Sequence, residues 1–200
     1  MRIHLSSLGC KLNQSEMDSL AAQLARAGHQ IAASPGEADL CVLNTCAVTH
    51  VAAQKSRQAL RRLHRENPEA RLVATGCYAE LSPDELQGLP AVDFVAGNQD
   101  KERLAALIGR ETVVQISRLP GPDADLPLPD SGSRTRALVK IQDGCDNACT
   151  YCIIHVARGP QRSRPAEQVL AEIQSRLQAG YQEVVLTGVH IGAYGRDQGE

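Results

Sequence analysis

Short apolar runs alternate with longer segments in which apolar residues recur every third or fourth position. Ile3 to Leu8 has the length of a strand, and Glu16 to Ala27 reads as a helix with Met17, Leu20 and Leu24 on one face, closed by Gly28 as a C-cap. The pattern continues with a strand at Leu40 to Leu43, a basic helix at Val51 to His64 with Leu60 and Leu63 inward, and a strand at Arg71 to Ala74. Ser82-Pro83-Asp84-Glu85 announces another helix, with Ser at the N-cap and Pro at the first helical position. Phe94 to Ala96 is a fourth strand and Asp100 to Ile108 a closing helix. This order predicts βαβ units on a mainly parallel, doubly wound sheet.

From Ser117 to Ser133 the periodicity stops, and Pro120, Gly121, Pro122, Pro127, Pro129 and Gly132 alternate with Asp123, Asp125 and Asp130. That composition marks a linker. The expected division is a first domain at 1–116, a linker at 117–133 and a second βα array at 134–200. The second array opens with a strand at Ala137 to Gln142, a long loop, an amphipathic helix at Ala166 to Ala179 capped by Gly180, and a strand at Glu183 to Thr187. With only two strands written, it is expected to be the truncated start of a larger domain.

Composition narrows the function classes. The 200 residues are 42% hydrophobic and 22% charged, a globular balance, yet they hold four Tyr, one Phe and no Trp. Few rings argue against a surface that stacks many bases. With 21 basic and 23 acidic side chains, any handle for a polyanion must be local. No window approaches a membrane span, and Met1 to Ser7 lack the marks of a secretory signal. Seven cysteines, an odd number, then favour cytoplasmic thiolate chemistry over a disulfide scaffold.

The cysteines sort into two sets and a remainder. Cys145, Cys149 and Cys152 form a C-x3-C-x2-C run in the loop after a strand. Three thiolates so spaced suit a cubane cluster with one iron left open for chemistry, and the alternative is a zinc site completed by a residue such as His155. Cys10, Cys46 and Cys77 each follow a strand, so a parallel sheet would deliver all three to its carboxyl edge, where such folds bind ligands. Gly9 and Gly76 permit close backbone approach there. The alternative is three separate core thiols, which is the role assigned to Cys41 inside its strand.

With these residues in place the chain resembles the methylthiotransferases of the radical S-adenosylmethionine superfamily. The resemblance runs through Leu8-Gly9-Cys10, Asn44-Thr45-Cys46-Ala47-Val48-Thr49, Gly76-Cys77-Tyr78, the Gly144 to Cys152 loop, Ala157-Arg158-Gly159 and Ser163-Arg164. Gly9-Cys10-Lys11-Leu12-Asn13-Gln14, Gln142-Asp143-Gly144-Cys145-Asp146-Asn147 and Leu186-Thr187-Gly188-Val189-His190 look most like the branch acting on threonylcarbamoyladenosine at position 37 of tRNA. Two other branches act on isopentenyladenosine of tRNA and on a ribosomal protein, and a reading from another class is a non-catalytic iron–sulfur or electron-transfer module.

The resemblance implies two 4Fe-4S clusters and S-adenosyl-L-methionine as cofactors. Cys145, Cys149 and Cys152 match the ligands of the cluster that binds S-adenosylmethionine, and Cys10, Cys46 and Cys77 those of an auxiliary cluster. The implied reaction is methylthiolation at C2 of the adenine, with a flavodoxin or ferredoxin as electron donor. The resemblance also puts the second sheet in a radical-SAM partial (β/α) barrel. Tyr151 matches an aromatic beside the cofactor adenine, while Thr187 and His190 stand past a strand end, where a barrel places cofactor-contacting groups. Arg158, Arg162 and Arg164 are candidates to neutralise tRNA phosphate or the cofactor carboxylate, and the basic helix with Lys55, Arg57, Arg61, Arg62 and Arg65 is expected to be a solvated face. No residue is identified as a catalytic acid or base. The family usually has Pro where this chain has His155, and it continues into a fuller barrel and an RNA-binding domain, so this chain alone is expected to turn over little tRNA.

Overall fold

The computed structural model of the chain describes residues 1–110 and 135–199, and the expected linker at 117–133 lies outside the described residues. The first part runs β1 (Arg2–Ser7), α1 (Lys11–Arg26), β2 (Gln30–Ile31), β3 (Leu40–Thr45), α2 (His50–Glu66), β4 (Arg71–Gly76), α3 (Cys77–Leu81), α4 (Pro83–Gln87), β5 (Phe94–Ala96) and α5 (Lys101–Arg110). Its five strands are all parallel, in the order β2-β1-β3-β4-β5. Chain direction across the sheet reverses between β1 and β3, which makes the carboxyl end of that pair a topological switch point.

Alternation along the strands distributes the core. Leu40 and Val42 of β3 join Ile3, Val73 and Ala96 under Met17, Leu20 and Leu24 of α1 and Leu104 and Ile108 of α5. Cys41 and Leu43 point the other way, with Leu72 and Ala74, under Leu60 and Leu63 of α2 and Tyr78 and Leu86 of α3 and α4. The sheet is thus covered on both faces, and its middle strand β3 is buried at all six positions, as parallel sheets require. The chain turns away from α1 at Gly28, just past the Ala27 C-cap, with a φ of +85° that glycine adopts without strain.

The second part contains β6 (Arg136–Lys140), β7 (Gln142–Asp143), α6 (Ile154–Arg158), β8 (Arg162–Ser163), α7 (Ala166–Gln178) and β9 (Glu183–Thr187). β6 and β9 pair in parallel and α7 covers them, with Val139, Ile141, Val169, Ile173 and Val184 packed together. These are the two strands and the helix expected of the second array. Two expectations change. The strand expected at 137–142 breaks at Ile141, and Gln142 and Asp143 pair antiparallel with Ser163 and Arg162 instead. The helix expected from Glu16 starts at Lys11, because its first turn buries Leu12, Asn13, Ser15 and Glu16 beneath the second part, where Ser15 Oγ donates to Leu138 O at 3.1 Å.

Candidate functional site

Strand register decides where the first three cysteines go. Thr45 of β3 is opposite Gly76 of β4, so the next residue on each strand, Cys46 and Cys77, leaves the sheet beside the other. On the other side of β3, Leu8 N donates to Asn44 O, and the chain turns at Gly9 to reach Cys10. Gly9 has φ +101°, and a Cβ there would stand 2.8 Å from Cys46 Sγ. Gly76, with φ +100°, has no room for a Cβ against Asn44 and the Thr45 backbone. Cys10 is the N-cap of α1, at the helix end that favours negative charge. Asn13, 1% exposed, ties the edge together: its Nδ2 donates to Leu8 O at 2.7 Å and Thr45 O at 3.2 Å, and its Oδ1 lies 3.9 Å from Cys10 Sγ. Burial pushes the Cys46 thiol up, and Cys10 and Cys77 are both close enough to add to that shift.

The C-x3-C-x2-C loop leaves β7 and is braced from both ends. Gln142, fully buried, donates through Nε2 to Asp143 O and Gly144 O and accepts from His190 N at 2.9 Å through Oε1. Asp143 Oδ1 accepts from Gly144 N, Cys145 N donates to Gly159 O, and Cys152 N donates to Cys149 O. Asn147 Nδ2 reaches His190 Nδ1 at 3.3 Å, so the loop and the end of β9 meet. Cys149 is exposed, while Cys145 and Cys152 are half-buried.

The two cysteine sets lie on facing elements. α6 begins two residues after Cys152 and packs on α3, which begins at Cys77. Asn98, buried past β5, bridges them, with its Nδ2 3.8 Å from Cys77 Sγ and 2.5 Å from Ala157 O. Beneath this contact is a buried ionic node. Arg158 donates to Glu16 at 2.8 Å, Asp143 at 2.9 Å and Asn13 Oδ1 at 2.6 Å; Lys101 and Lys140 also face Glu16, at 2.5 and 3.4 Å. Burial alone would raise the Glu16 carboxyl, but Lys101, Arg158 and Lys140 outweigh it and hold the group well below the ordinary range. Asp143 is lowered in the same way, by Arg158 and Lys140 against its burial.

Among the described residues, no three His, Cys, Asp or Glu side chains stand in metal-ligand geometry. The donor set nevertheless fits an iron–sulfur group: all seven thiols are free, and the missing side chain at Gly9 leaves space beside Cys46. Asn98 Oδ1 and Asn44 Oδ1 are also buried near the edge with no hydrogen-bond partner.

Other expected site residues fall as follows. Thr187 is buried at the end of β9 and His190 is exposed just beyond it. Tyr151 is 92% exposed on the cysteine loop. Cys41 is a core thiol, 1% exposed, pushed up to about 11 by burial and by Glu66. His155 occupies the first turn of α6, where a proline's missing N–H costs nothing, and the helix forms with His in that place.

Arg158 must be removed from the candidates for tRNA phosphate, because its side chain is 2% exposed and already paired. Arg164 is committed to Glu172 and Lys140 O, which leaves Arg162 as the exposed member of the three. The basic helix is not wholly a solvated face either: Arg57 donates to Tyr78 Oη and Glu85 and covers the Tyr78 ring. Glu16, Asn98 and Lys101 stand in no motif of the sequence, and Asn13 enters only as part of the Gly9 to Gln14 motif; the other signal available was their position one or two turns from a cysteine or a strand end.

Residues 2–97 match the family described as uncharacterized protein family UPF0004, and residues 139–198 match the radical SAM superfamily. A threonylcarbamoyladenosine tRNA methylthiotransferase of Bacillus subtilis is 42% identical over 96% of this chain and 44% of its own length. One from Thermotoga maritima is 38% identical over 98% of this chain and 46% of its own. A ribosomal protein uS12 methylthiotransferase of Chloroflexus aurantiacus is 35% identical over the whole chain and 48% of its own length. The chain spans about half the length of these curated relatives. With both regions in order on one chain, and one cysteine set in each, the chain is similar along nearly its whole length to the radical S-adenosylmethionine methylthiotransferases.

Proposed function

We propose that this chain carries the two cluster-binding regions of a tRNA methylthiotransferase that modifies C2 of threonylcarbamoyladenosine at position 37. The observation that supports it best is the packing of α3, headed by Cys77, on α6, which follows Cys152, so that the two cysteine sets lie on elements that meet. Two 4Fe-4S clusters and S-adenosyl-L-methionine, when bound, supply the electron, radical, sulfur and methyl group that replace an aromatic C–H bond with no practical acid–base route.

The chain's own residues bind and orient. Cys145, Cys149 and Cys152 hold the cluster that takes S-adenosylmethionine, and Cys10, Cys46 and Cys77 hold the auxiliary one. Gln142 fixes the loop against the end of β9, which supports reading Thr187 and His190 as cofactor-facing residues. Tyr151 stands free on the loop to cover the adenine. The α3–α6 contact excludes water from the Cys46 and Cys77 side, which protects a reactive intermediate. A flavodoxin or ferredoxin supplies electrons, tRNA is the substrate, and the cytoplasm is the compartment. No described helix is long and apolar enough to cross a membrane.

Anaerobic reconstitution tests this directly: about eight irons per chain are expected, falling to about four when either cysteine trio is replaced by Ala. Uptake of zinc alone would overturn the reading. The 42% identity to a threonylcarbamoyladenosine enzyme favours that substrate over the ribosomal-protein one, at 35%. Nucleoside analysis of tRNA from a strain lacking the gene separates them, because loss of the methylthio group from tRNA is expected only in the first case.

A further inference from the structure

The ionic node beneath the cysteine edge has more cations than carboxylates. Lys101, Lys140 and Arg158 face Glu16 and Asp143, with side-chain exposures of 10%, 24% and 2% against 6% and 12%. An excess positive charge is costly at this depth unless an anion lies close by. The nearby groups able to carry that charge are the thiols at the sheet edge and, beyond them, the Glu80 carboxylate, which accepts from Asn98 N at 2.7 Å.

Arg158 is within one hydrogen-bonded residue of two of them. Its Nη2 donates to Asn13 Oδ1, the atom that also lies 3.9 Å from Cys10 Sγ. The carbonyl of its neighbour Ala157 holds Asn98, whose amide lies 3.8 Å from Cys77 Sγ. Arg158 comes from the second part of the chain, whereas all three cysteines come from the first.

We propose that Arg158 is a positioning residue and the counter-charge for the auxiliary cysteine edge, so that this edge is electrostatically complete only when α6 is docked on it. Arg158 occupies Asn13 Oδ1, the acceptor that the metal-free Cys10 thiol also faces, and it offsets the negative charge that three thiolates and their cluster bring to a water-poor site. Glu16 opposes it and sets how much of that positive charge the edge receives. The inference rests on the reading that Cys10, Cys46 and Cys77 ligate a cluster.

The test uses the full 200-residue chain with Cys145→Ala, Cys149→Ala and Cys152→Ala, so that only the edge can load iron and sulfide. Redox titration followed by absorbance and electron paramagnetic resonance reads the cluster potential without any turnover. Arg158→Gln is expected to lower the midpoint by at least a tenfold change in the reduced-to-oxidised ratio, about 59 mV for one electron. Arg158→Lys, which keeps the charge, should recover most of that loss, and Glu16→Gln should move the midpoint the opposite way. Equal potentials, or shifts of one sign in both charge-removing variants, overturn the proposal while leaving the cluster reading intact. If Arg158→Gln does not fold, Glu16→Gln decides, since an unshifted or lowered midpoint there overturns the proposal. A parent chain that loads no iron overturns the cluster reading and this proposal with it.

Discussion

Replacing Glu16 by Gln removes the one carboxylate that Lys101, Lys140 and Arg158 all face, and leaves the shape of the site nearly unchanged. Breaking a buried ion pair from one side costs about 3–5 kcal/mol, because the remaining charge stays buried without its partner. Gln still offers an oxygen to Arg158 and Asn44, so the lower end, about 3 kcal/mol, is expected here. The pH dependence separates charge from packing. Glu16 has a lowered folded value against an ordinary 4.5, so its contribution is fully present above about 4.5 and is lost as the pH falls below it. Each pH unit below that point removes about 1.4 kcal/mol of the wild type's advantage, while Asp143 and the other carboxyls titrate in both proteins. Urea unfolding followed by far-UV circular dichroism should show a gap of about 3 kcal/mol at about pH 7, narrowed by about 1.4 kcal/mol at about pH 3.5. A gap under about 1 kcal/mol at neutral pH, or one that does not change on acidification, would refute the reasoning.

Gly9→Ala forces an L side chain onto φ +101° and toward Cys46 Sγ; a loss of about 1–2 kcal/mol is expected, with iron uptake falling to the share of the other cysteine set. Gln142→Leu strips acceptors and donors from Asp143 O, Gly144 O and His190 N, and should cost about 2–4 kcal/mol while weakening the spectral response of the cluster to S-adenosylmethionine. Cys41, buried and raised to about 11, should resist iodoacetamide at mildly alkaline pH until the chain is unfolded, and Cys41→Ala should leave the iron content unchanged. Mass spectrometry of alkylated peptides and colorimetric iron assay check these in turn.

Much of the fold is legible in local patterning. β3 and α2 follow from runs and periods of apolar residues, because such residues report which side faces the core regardless of what covers it. The positions of the cysteines after strands were equally legible, because a parallel sheet must send its strand ends to one edge. The short helices α3 and α6 escaped, since five residues carry too little periodicity to register. So did the first turn of α1. Asn13 and Glu16 look like solvent-facing polar residues by pattern, and their partners lie up to 145 positions along the chain.

The sequence by itself determined the order of the longer strands and helices, the parallel sheet and the two sets of three thiols, because spacing and hydrophobic period are properties of neighbouring residues. Only the tertiary structure decided that Thr45 stands opposite Gly76, so that Cys46 and Cys77 emerge together. It alone turned Arg158 from an apparent surface cation into a buried link between the two parts. The physical reason is range. A buried charge is tolerated only where groups from distant segments surround it, and no local pattern records which distant groups those are.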